Sequence, residues 1–398
     1  MSLEGQSPVI AEKPSEADRP DQERQVLARE YARLQRRWLV IDLLFSFLLV
    51  VGFLVSGASR LFKVWLLGWG LTSPWLLVAV YMGLLLIADM LVSLPLAWWR
   101  GYVLPKRYEL STQTLKGWLL DELKTTALGL ALGIPVAEVI YWLLRSQPET
   151  WWLWAAGLLV VLSIVLGFLL PVVILPLFYT LVPLEDAALN ARIRELARRT
   201  GTRIAGVYTI NLSSRTTAGN AMVMGMGATK RIALGDTLYA DYTPEEIETI
   251  LAHELGHQVH RDMELSVGVQ SLLLVGSLYL ARAFLNWGVA YFGFEGIADV
   301  AAFPLLVLAT ALFSLVTMPL INFYSRWRER LADRFALEVT GNPEAFARAM
   351  LRLADQNLSE SDPPDWVVWL LYDHPPIRER VSMARRVSPA EIGGAGGA

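Results

Sequence analysis

Residues 243–262 read TPEEIETILAHELGHQVHRD and contain three of the four histidines in a chain of 398 residues. Thr243 is a candidate N-cap, Pro244 suits the first position of a helix, and Glu246 stands where a capping-box partner belongs. The segment therefore predicts a helix that begins near Pro244 and runs through the histidines.

The histidine spacing on this helix indicates a metal site. His253 and His257 are four residues apart, so their imidazoles project from the same helical face. Glu254 follows the first imidazole directly, where a carboxylate can accept a proton from metal-activated water. This is the H-E-x-x-H pattern of zinc metalloproteases, and it predicts one Zn²⁺ per chain.

A third protein ligand would complete such a site and leave the fourth position open to water. His260 shares the face of the first two histidines, but a third ligand from the same short helix closes poorly around a tetrahedral ion. The alternative is Glu329 in the segment SRWRERLADRFALEVTG. Asp333, four residues later, can accept the second N–H of a ligand histidine, which favours Glu329 as the ligand.

The composition excludes several other classes of protein. The net charge of −3 gives no electrostatic basis for binding nucleic acid. The absence of cysteine excludes disulfides, thiolate metal sites and cysteine nucleophiles. A hydrophobic fraction of 54%, with 15 tryptophans, is instead typical of a membrane protein.

Six segments are long and apolar enough to cross a bilayer, which needs about 20 residues. They are residues 38–59, 65–99, 125–144, 151–184, 265–281 and 301–325. Lys and Arg are concentrated in alternate segments outside them, which predicts that both termini and the soluble regions lie in the cytoplasm. We therefore expect an integral, multi-pass protein of the cell (inner) membrane.

The predicted fold is a predominantly α-helical polytopic membrane protein with a gluzincin-like α+β zinc protease domain that has a small β-sheet. Strand-like runs lie in AGVYTINL, NAMVMGMG and KRIAL. The expected organisation is a polar N-terminal region (1–37), four spans (38–184), a cytoplasmic protease segment (185–264), two spans (265–325) and a C-terminal protease segment that ends in a flexible tail (326–398).

The combination of AHELGH with SRWRERLADRFAL some seventy residues later resembles the type I CAAX prenyl proteases and their bacterial relatives. GNAMVMGMGATKRIALGDTL at 219–238 and HPPIRERV at 374–381 are similar to further stretches of that family. The resemblance covers most of the chain. One departure is the number of spans, since the eukaryotic members have seven and this sequence shows six.

The resemblance implies a role for each matching residue. His253, His257 and Glu329 would bind zinc, Glu254 would be the general base, and Asp333 would orient a ligand histidine. His374 and Arg380 would stabilise the negative oxygen of the transition state. The residues that would pair with the substrate backbone as an added strand are Asn220, Ala221, Met222, Val223 and Met224.

The leading hypothesis is thus a membrane-integrated zinc endopeptidase that acts on a peptide or protein, prenylated in the family's named substrates. An alternative with the same chemistry is a quality-control protease for damaged membrane proteins. A transporter with a metal site is disfavoured by the lack of an inverted repeat. In a site-2-type intramembrane protease the motif would lie within a span, whereas here it precedes one.

Overall fold

The computed structural model describes residues 20–225, 227 and 230–387. Residues 1–19, which are most of the polar N-terminal region, and residues 388–398, which include the predicted flexible tail GGAGGA, lie outside these ranges. The helices of the described part are α1 (Gln22–Val55), α2 (Ala58–Gly68), α3 (Pro74–Trp98), α4 (Leu104–Arg107), α5 (Leu115–Ser146), α6 (Trp151–Leu169), α7 (Ala187–Arg199), α8 (Asp236–Asp241), α9 (Pro244–Val259), α10 (Asp262–Phe292), α11 (Phe303–Thr340), α12 (Pro343–Gln356), α13 (Asp365–Leu371) and α14 (Ile377–Arg386).

Six helical segments among the described residues are long and apolar enough to cross a membrane. They are built on α1, α3, α5, α6, α10 and α11. Their large apolar side chains are widely exposed, as expected for a surface that contacts lipid. The prediction of a polytopic helical protein with six spans is confirmed.

The spans differ from the predicted ones at their ends. The second was expected to begin at residue 65, but that part of the chain forms the short helix α2, and the span begins at Pro74. Gly57 and Gly70 adopt positive φ angles of 76° and 83°, which only glycine accepts readily, so the chain turns at both places. The fourth was expected to reach residue 184, but its last residues form a strand.

A small mixed sheet lies between the fourth and fifth spans in the sequence. Its strands are β1 (Leu181–Pro183), β2 (Gly206–Ile210), β3 (Ala221–Met224) and β4 (Arg231–Gly235). The order across the sheet is β1-β2-β4-β3, with β2 and β4 parallel and the outer pairs antiparallel. The three predicted strands are present as β2, β3 and β4. Among the described residues β3 is an edge strand, with β4 as its partner.

The predicted helix around the histidines is α9, and its N-terminus has the expected capping box. The Glu246 N–H donates to Oγ1 of Thr243 at 3.3 Å, and the Thr243 N–H donates to Oε2 of Glu246 at 2.9 Å. These bonds satisfy backbone donors that a helix start leaves without partners. The start of α9, and hence the direction of its histidine face, is fixed locally.

Helix α9 packs closely against α11 through a glycine. A Cβ at Gly256 would lie 3.2 Å from Cα of Ala332 and 3.1 Å from Cδ1 of Phe335. Because Gly256 and Ala332 are both small, the two backbones approach more closely than larger residues would allow. The face of α9 that bears the histidines is thereby held against the last membrane helix.

The core of the protease domain joins the sheet to helices from both halves of the sequence. It buries side chains from α7, α8, α9, α11, α12 and α14 together with β2, β3 and β4. Its largest fully buried members are Ile193, Leu196, Ile232, Leu234, Leu238 and Phe346. The predicted protease segments 185–264 and 326–398 therefore share one hydrophobic core.

A buried ion pair joins α2 to the segment before α11. Nζ of Lys63 lies 3.0 Å from Oδ1 of Asp299 and 2.7 Å from Oε2 of Glu295. The Asp299 side chain is only 4% exposed, and it also accepts the Ala301 N–H. This carboxylate depends on Lys63 for charge compensation.

We expect Lys63→Met to destabilise the protein by about 3–5 kcal/mol, because it leaves the carboxylate of Asp299 buried without its cation. Equilibrium unfolding in detergent micelles would measure the loss. Arg198→Met is the matched control, since it removes a cation from an exposed pair with Glu195 and should leave the unfolding midpoint unchanged. Equal midpoints for both variants would contradict the assigned dependence.

Candidate metal centre

The two histidines of α9 point at a common position. Nε2 of His253 and Nε2 of His257 are 3.3 Å apart, with the two rings nearly perpendicular. His253 is buried, whereas His257 is partly accessible. Two imidazole nitrogens this close can bind one metal ion together when both are unprotonated.

Glu329 of α11 faces the same position. Its Oε2 lies 3.3 Å from Nε2 of His253, and its Oε1 lies 3.4 Å from Nε2 of His257. The three ligand atoms fall within 4.8 Å of one another. Oε2 is buried and forms no well-aligned hydrogen bond within the described part of the chain. A carboxylate oxygen in this state fits a metal ligand, because a bound cation would compensate its burial.

The other nitrogen of His253 is held by a buried carboxylate. Nδ1 of His253 lies 2.9 Å from Oδ1 of Asp333, which is fully buried. Asp333 in turn accepts two hydrogen bonds from Arg380, at 2.9 Å from Nε and 2.5 Å from Nη2. This arrangement fixes the ring so that Nε2 faces the metal position.

His257 has an equivalent support that the sequence analysis missed. Its Nδ1 lies 2.7 Å from Oδ2 of Asp262, the first residue of α10. Arg328 donates to Asp262 from Nε at 2.7 Å and also from Nη2. Each candidate histidine ligand is therefore backed by a buried aspartate and an arginine.

The turn between α9 and α10 explains why Asp262 reaches His257. The chain passes through Arg261 in the left-handed conformation, with φ 55°, and α10 begins at the next residue. A sequence offset of five residues does not predict a contact on a continuous helix. In the sequence, the only indication of this contact is that an aspartate, Asp262, follows the motif closely.

His260, the alternative third ligand, is directed elsewhere. It is the C-cap of α9, and its ring packs edge-on against Phe335 with centroids 5.6 Å apart. The geometry therefore groups His253 and His257 with Glu329.

The charges around His253 have a consequence for metal binding. Burial lowers the pKa of His253, but the hydrogen bonds to Asp333 and Glu329 and the charge of Asp333 outweigh it, and the pKa rises to about 9. This shift favours the protonated imidazole in the metal-free protein. A metal must displace this proton, so its affinity should rise as pH increases toward 9.

Glu254 lies beside this position on the wall of a cavity of about 390 Å³. Burial raises its pKa above the usual range, although the neighbouring His253 and His257 oppose the shift. A carboxylate with a raised pKa is a stronger base at neutral pH. The environment suits a group that accepts and returns a proton.

His374 lies at the same cavity, on the segment between α13 and α14. Its Nε2 is 3.4 Å from Oε1 of Glu329, and its Nδ1 is 2.9 Å from Oδ1 of Asp373. The hydrogen bond to Asp373 raises the pKa of His374 despite partial burial, and the charge of Glu329 adds to this shift. The imidazole therefore favours its cationic form.

Arg380 also lines the cavity, but it is buried and its guanidinium is engaged by Asp333. Of the strand predicted to bind substrate, Asn220 and Ala221 line the cavity. Met222 and Met224 instead pack near a small apolar cluster around Ile210, Leu212 and Ala233. The structure thus brings one end of β3 to the cavity.

Comparison with known proteins identifies the family. The model of peptidase family M48 matches residues 183–388, just over half of the chain. The chain belongs to peptidase family M48. Residues 12–180 match a second family model, described as CAAX prenyl protease N-terminal, five membrane helices. Within that range the structure has four helical segments long enough to span, together with α2, whose 11 residues are too few.

Relatives of this M48 peptidase cover most of its length. An uncharacterized metalloprotease of Bacillus subtilis, YhfN, is 33% identical over 364 residues, which is 90% of this chain and 85% of the relative. CAAX prenyl protease 1 of Saccharomyces cerevisiae is 28% identical over 77% of this chain and 72% of its own.

The crystal structure of S. mikatae Ste24p superimposes with a TM-score of 0.82, at 24% identity, over 93% of this chain and 92% of that one. The two proteins therefore share a fold. Together these findings confirm the predictions of the family and of a membrane-embedded metalloprotease.

We expect Asp262→Asn to weaken metal binding by about 10- to 100-fold, because the neutral amide supports the His257 ring less well. Competition with a chromophoric chelator would measure the affinity. Asp241→Asn is the control, since this aspartate ends α8 and is neither a lining residue of the cavity nor a partner of the candidate ligands. An unchanged affinity in the Asp262 variant would show that the carboxylate has no part in holding the ligand.

Proposed function

We propose that this M48 peptidase is a zinc endopeptidase that cleaves an extended polypeptide at the cavity beside α9. The observation that carries the proposal is the convergence of His253, His257 and Glu329 next to Glu254. Two imidazoles and one carboxylate are a donor set that suits catalytic zinc, and they leave one position open. Bound there, the ion would polarise a substrate carbonyl and lower the pKa of water.

Glu254 is the proposed general base. Its carboxylate follows His253 on α9 and faces the cavity, so it can take a proton from an attacking water. The same group can then return the proton to the leaving amine, because a raised pKa strengthens the carboxylate as a base. No other carboxylate of α9 lines this cavity.

His374 and Arg380 are the proposed partners of the negative oxygen that develops during attack. The cationic form of His374 can donate a hydrogen bond to that oxygen. Arg380 contributes positive charge at the cavity wall, and its ion pair with Asp333 holds it in place. Arg380 thus has two proposed roles. It holds Asp333, which orients the ring of His253, and its positive charge stabilises the negative oxygen.

Strand β3 supports a mode of substrate binding. It is the edge of the sheet, and Asn220 and Ala221 at its beginning reach the cavity. An extended peptide can add a strand at such an edge through main-chain hydrogen bonds, with little demand on sequence. We therefore assign residues 220–224 to the substrate backbone.

The proposed substrate is the C-terminal segment of a prenylated protein, on the cytoplasmic side of the membrane. The similarity to CAAX prenyl protease 1 of Saccharomyces cerevisiae supports this substrate class, and the distribution of Lys and Arg supports the sidedness.

A second candidate function, cleavage of unmodified membrane proteins, has a specific observation in its favour. A cavity of about 580 Å³ shares Tyr372 with the candidate site. Its lining includes Arg36, Asp42, Arg100 and Glu122. A lining with four charged side chains suits a hydrated polypeptide better than an isoprenoid.

The deciding experiment uses purified wild type and Glu254→Gln, a farnesylated peptide with a C-terminal CAAX sequence, and its unprenylated twin. We expect about one zinc per chain in both proteins and cleavage only by wild type, because the amide cannot accept the proton. Zinc content by mass spectrometry and product by chromatography are the readouts.

Preference for the farnesylated peptide supports the prenyl substrate, whereas equal cleavage of both peptides supports the second candidate. Cleavage by the Glu254 variant at the wild-type rate would refute the assigned base. Absence of zinc from wild type would refute the metal.

The proposed roles also predict a bell-shaped dependence of kcat/KM on pH. Activity should rise as Glu254 loses its proton, at a pH above the usual range of a glutamate because burial raises its pKa. It should fall again as His374 loses its proton, at a pH above the usual value of 6.5 because Asp373 raises its pKa. In His374→Gln the alkaline limb should disappear while the acid limb stays, and persistence of both limbs would contradict the role of His374.

A further inference from the structure

The segment that carries His374 connects α12 to α14, and we call residues 357–376 the His374 strap. It includes α13 and lines the cavity at both of its ends, through Asn357 to Glu360 and through Tyr372 to Pro376. Glu254 and the candidate metal ligands lie on long helices, whereas His374 lies on this connecting segment. Its position must therefore be fixed by contacts of the strap.

Arg326 of α11 binds the main chain of the strap up to Tyr372, two residues before His374. Its Nη1 donates to the carbonyl of Val368 at 2.8 Å and to the carbonyl of Tyr372. Asn322, one helical turn earlier, donates from Nδ2 to the carbonyl of Leu370 at 2.7 Å. Three carbonyls at the end of α13 are thus bound by two side chains of the membrane helix.

Arg326 is buried, and its hydrogen-bond partners are main-chain carbonyls rather than carboxylates. Arg326 is only 4% exposed. Within the described residues no carboxylate lies at ion-pair distance from its guanidinium. Carbonyls at the C-terminal end of a helix carry partial negative charge. The carbonyls of Val368 and Tyr372 are the hydrogen-bond partners that the described residues give this guanidinium, while the carboxylates of Asp373 and Glu379 act on its charge from beyond ion-pair distance. The buried cation and the strap end therefore depend on each other.

The same helix face joins this anchor to the metal centre. Arg326 precedes Glu329 by three residues and Asp333 by seven, which places all three along one side of α11. Tyr372 is only two residues from His374, whose Nε2 lies 3.4 Å from Glu329. One rigid helix therefore holds both the ligand and the main chain that presents His374.

We propose that Arg326, assisted by Asn322, is a positioning residue that sets His374 against the reacting carbonyl through the main chain of residues 368–372. It contacts neither substrate nor metal. The inference rests on the role of His374 in the proposed function, so its test must separate the two.

The test is a double-mutant cycle on the full chain in detergent. It compares wild type, Arg326→Lys, His374→Ala and the double variant, for zinc content, thermal stability, kcat and KM on the cleaved peptide. A lysine keeps the charge, but its side chain is shorter and lacks the planar guanidinium that holds Nη1 between the two carbonyls. Arg199→Lys is the matched control, since Arg199 also donates to a carbonyl in the last turn of a helix, that of Val339, on the far side of α11.

We expect Arg326→Lys to lower kcat by about 10- to 100-fold, with zinc content and KM unchanged, because a small displacement of a catalytic group costs this much. In the His374→Ala background the same substitution should change kcat by less than about twofold, since coupled residues are not additive. The Arg199 control should keep the wild-type kcat.

Three results would overturn the inference. They are an equal loss from Arg326→Lys in both backgrounds, a loss of zinc in step with activity, and a change in KM alone. If His374→Ala is as active as wild type, the proposed role of His374 fails first, and that outcome is distinct from the other three.

Should Arg326→Lys fail to fold, Asn322→Leu provides the same test, because it removes one donor to the strap and keeps the size of the side chain. It should show the same pattern with a smaller loss of kcat, and additivity with His374→Ala would overturn the inference equally.

Discussion

The contact between α9 and α11 is the constraint on which the rest of the site depends. The histidines lie on one helix and Glu329 on the other, so the distance between the two helices sets the distance between the ligand atoms. Gly256, inside the HELGH motif, permits the approach because a side chain there would collide with Ala332 and Phe335. Any larger residue would push the helices apart and separate His253 and His257 from Glu329. A glycine that takes no part in the chemistry thus determines whether the centre can form.

Around that contact the chain buries an unusual amount of charge. Asp333 with Arg380, and Asp262 with Arg328, form two buried ion pairs, one behind each histidine. Buried pairs of this kind contribute little net stability, because desolvation offsets the attraction between the charges. Their effect is to fix direction, since each aspartate leaves its histidine only one orientation. The protein thus gives up stability for a geometry that is set before any ligand arrives.

The sequence predicted what is local, and it missed much of what depends on distant contacts. The capping box at Thr243, the strands of the sheet and the count of six spans follow from patterns within short windows. Glu329 was predicted as the third ligand because its own segment is distinctive, and the structure places it beside His253 and His257. Asp262 and its partner Arg328 are 66 residues apart, and their contact with His257 requires the turn at Arg261, which no periodicity indicates. Strand β1 was assigned to a span because three apolar residues in a sheet look the same as three in a membrane helix.

Helices α10 and α11 run without a break from the apolar region to the candidate centre. Asp262 is the first residue of α10, and Glu329 lies in the last third of α11. The imidazole of His257 is therefore held by Asp262 at the start of α10, while Glu329, the carboxylate that faces it, belongs to α11. A change in the crossing angle of these two helices is at the same time a change in the coordination geometry. A bilayer thickness that changes the tilt of these helices therefore also changes the geometry of the candidate metal centre.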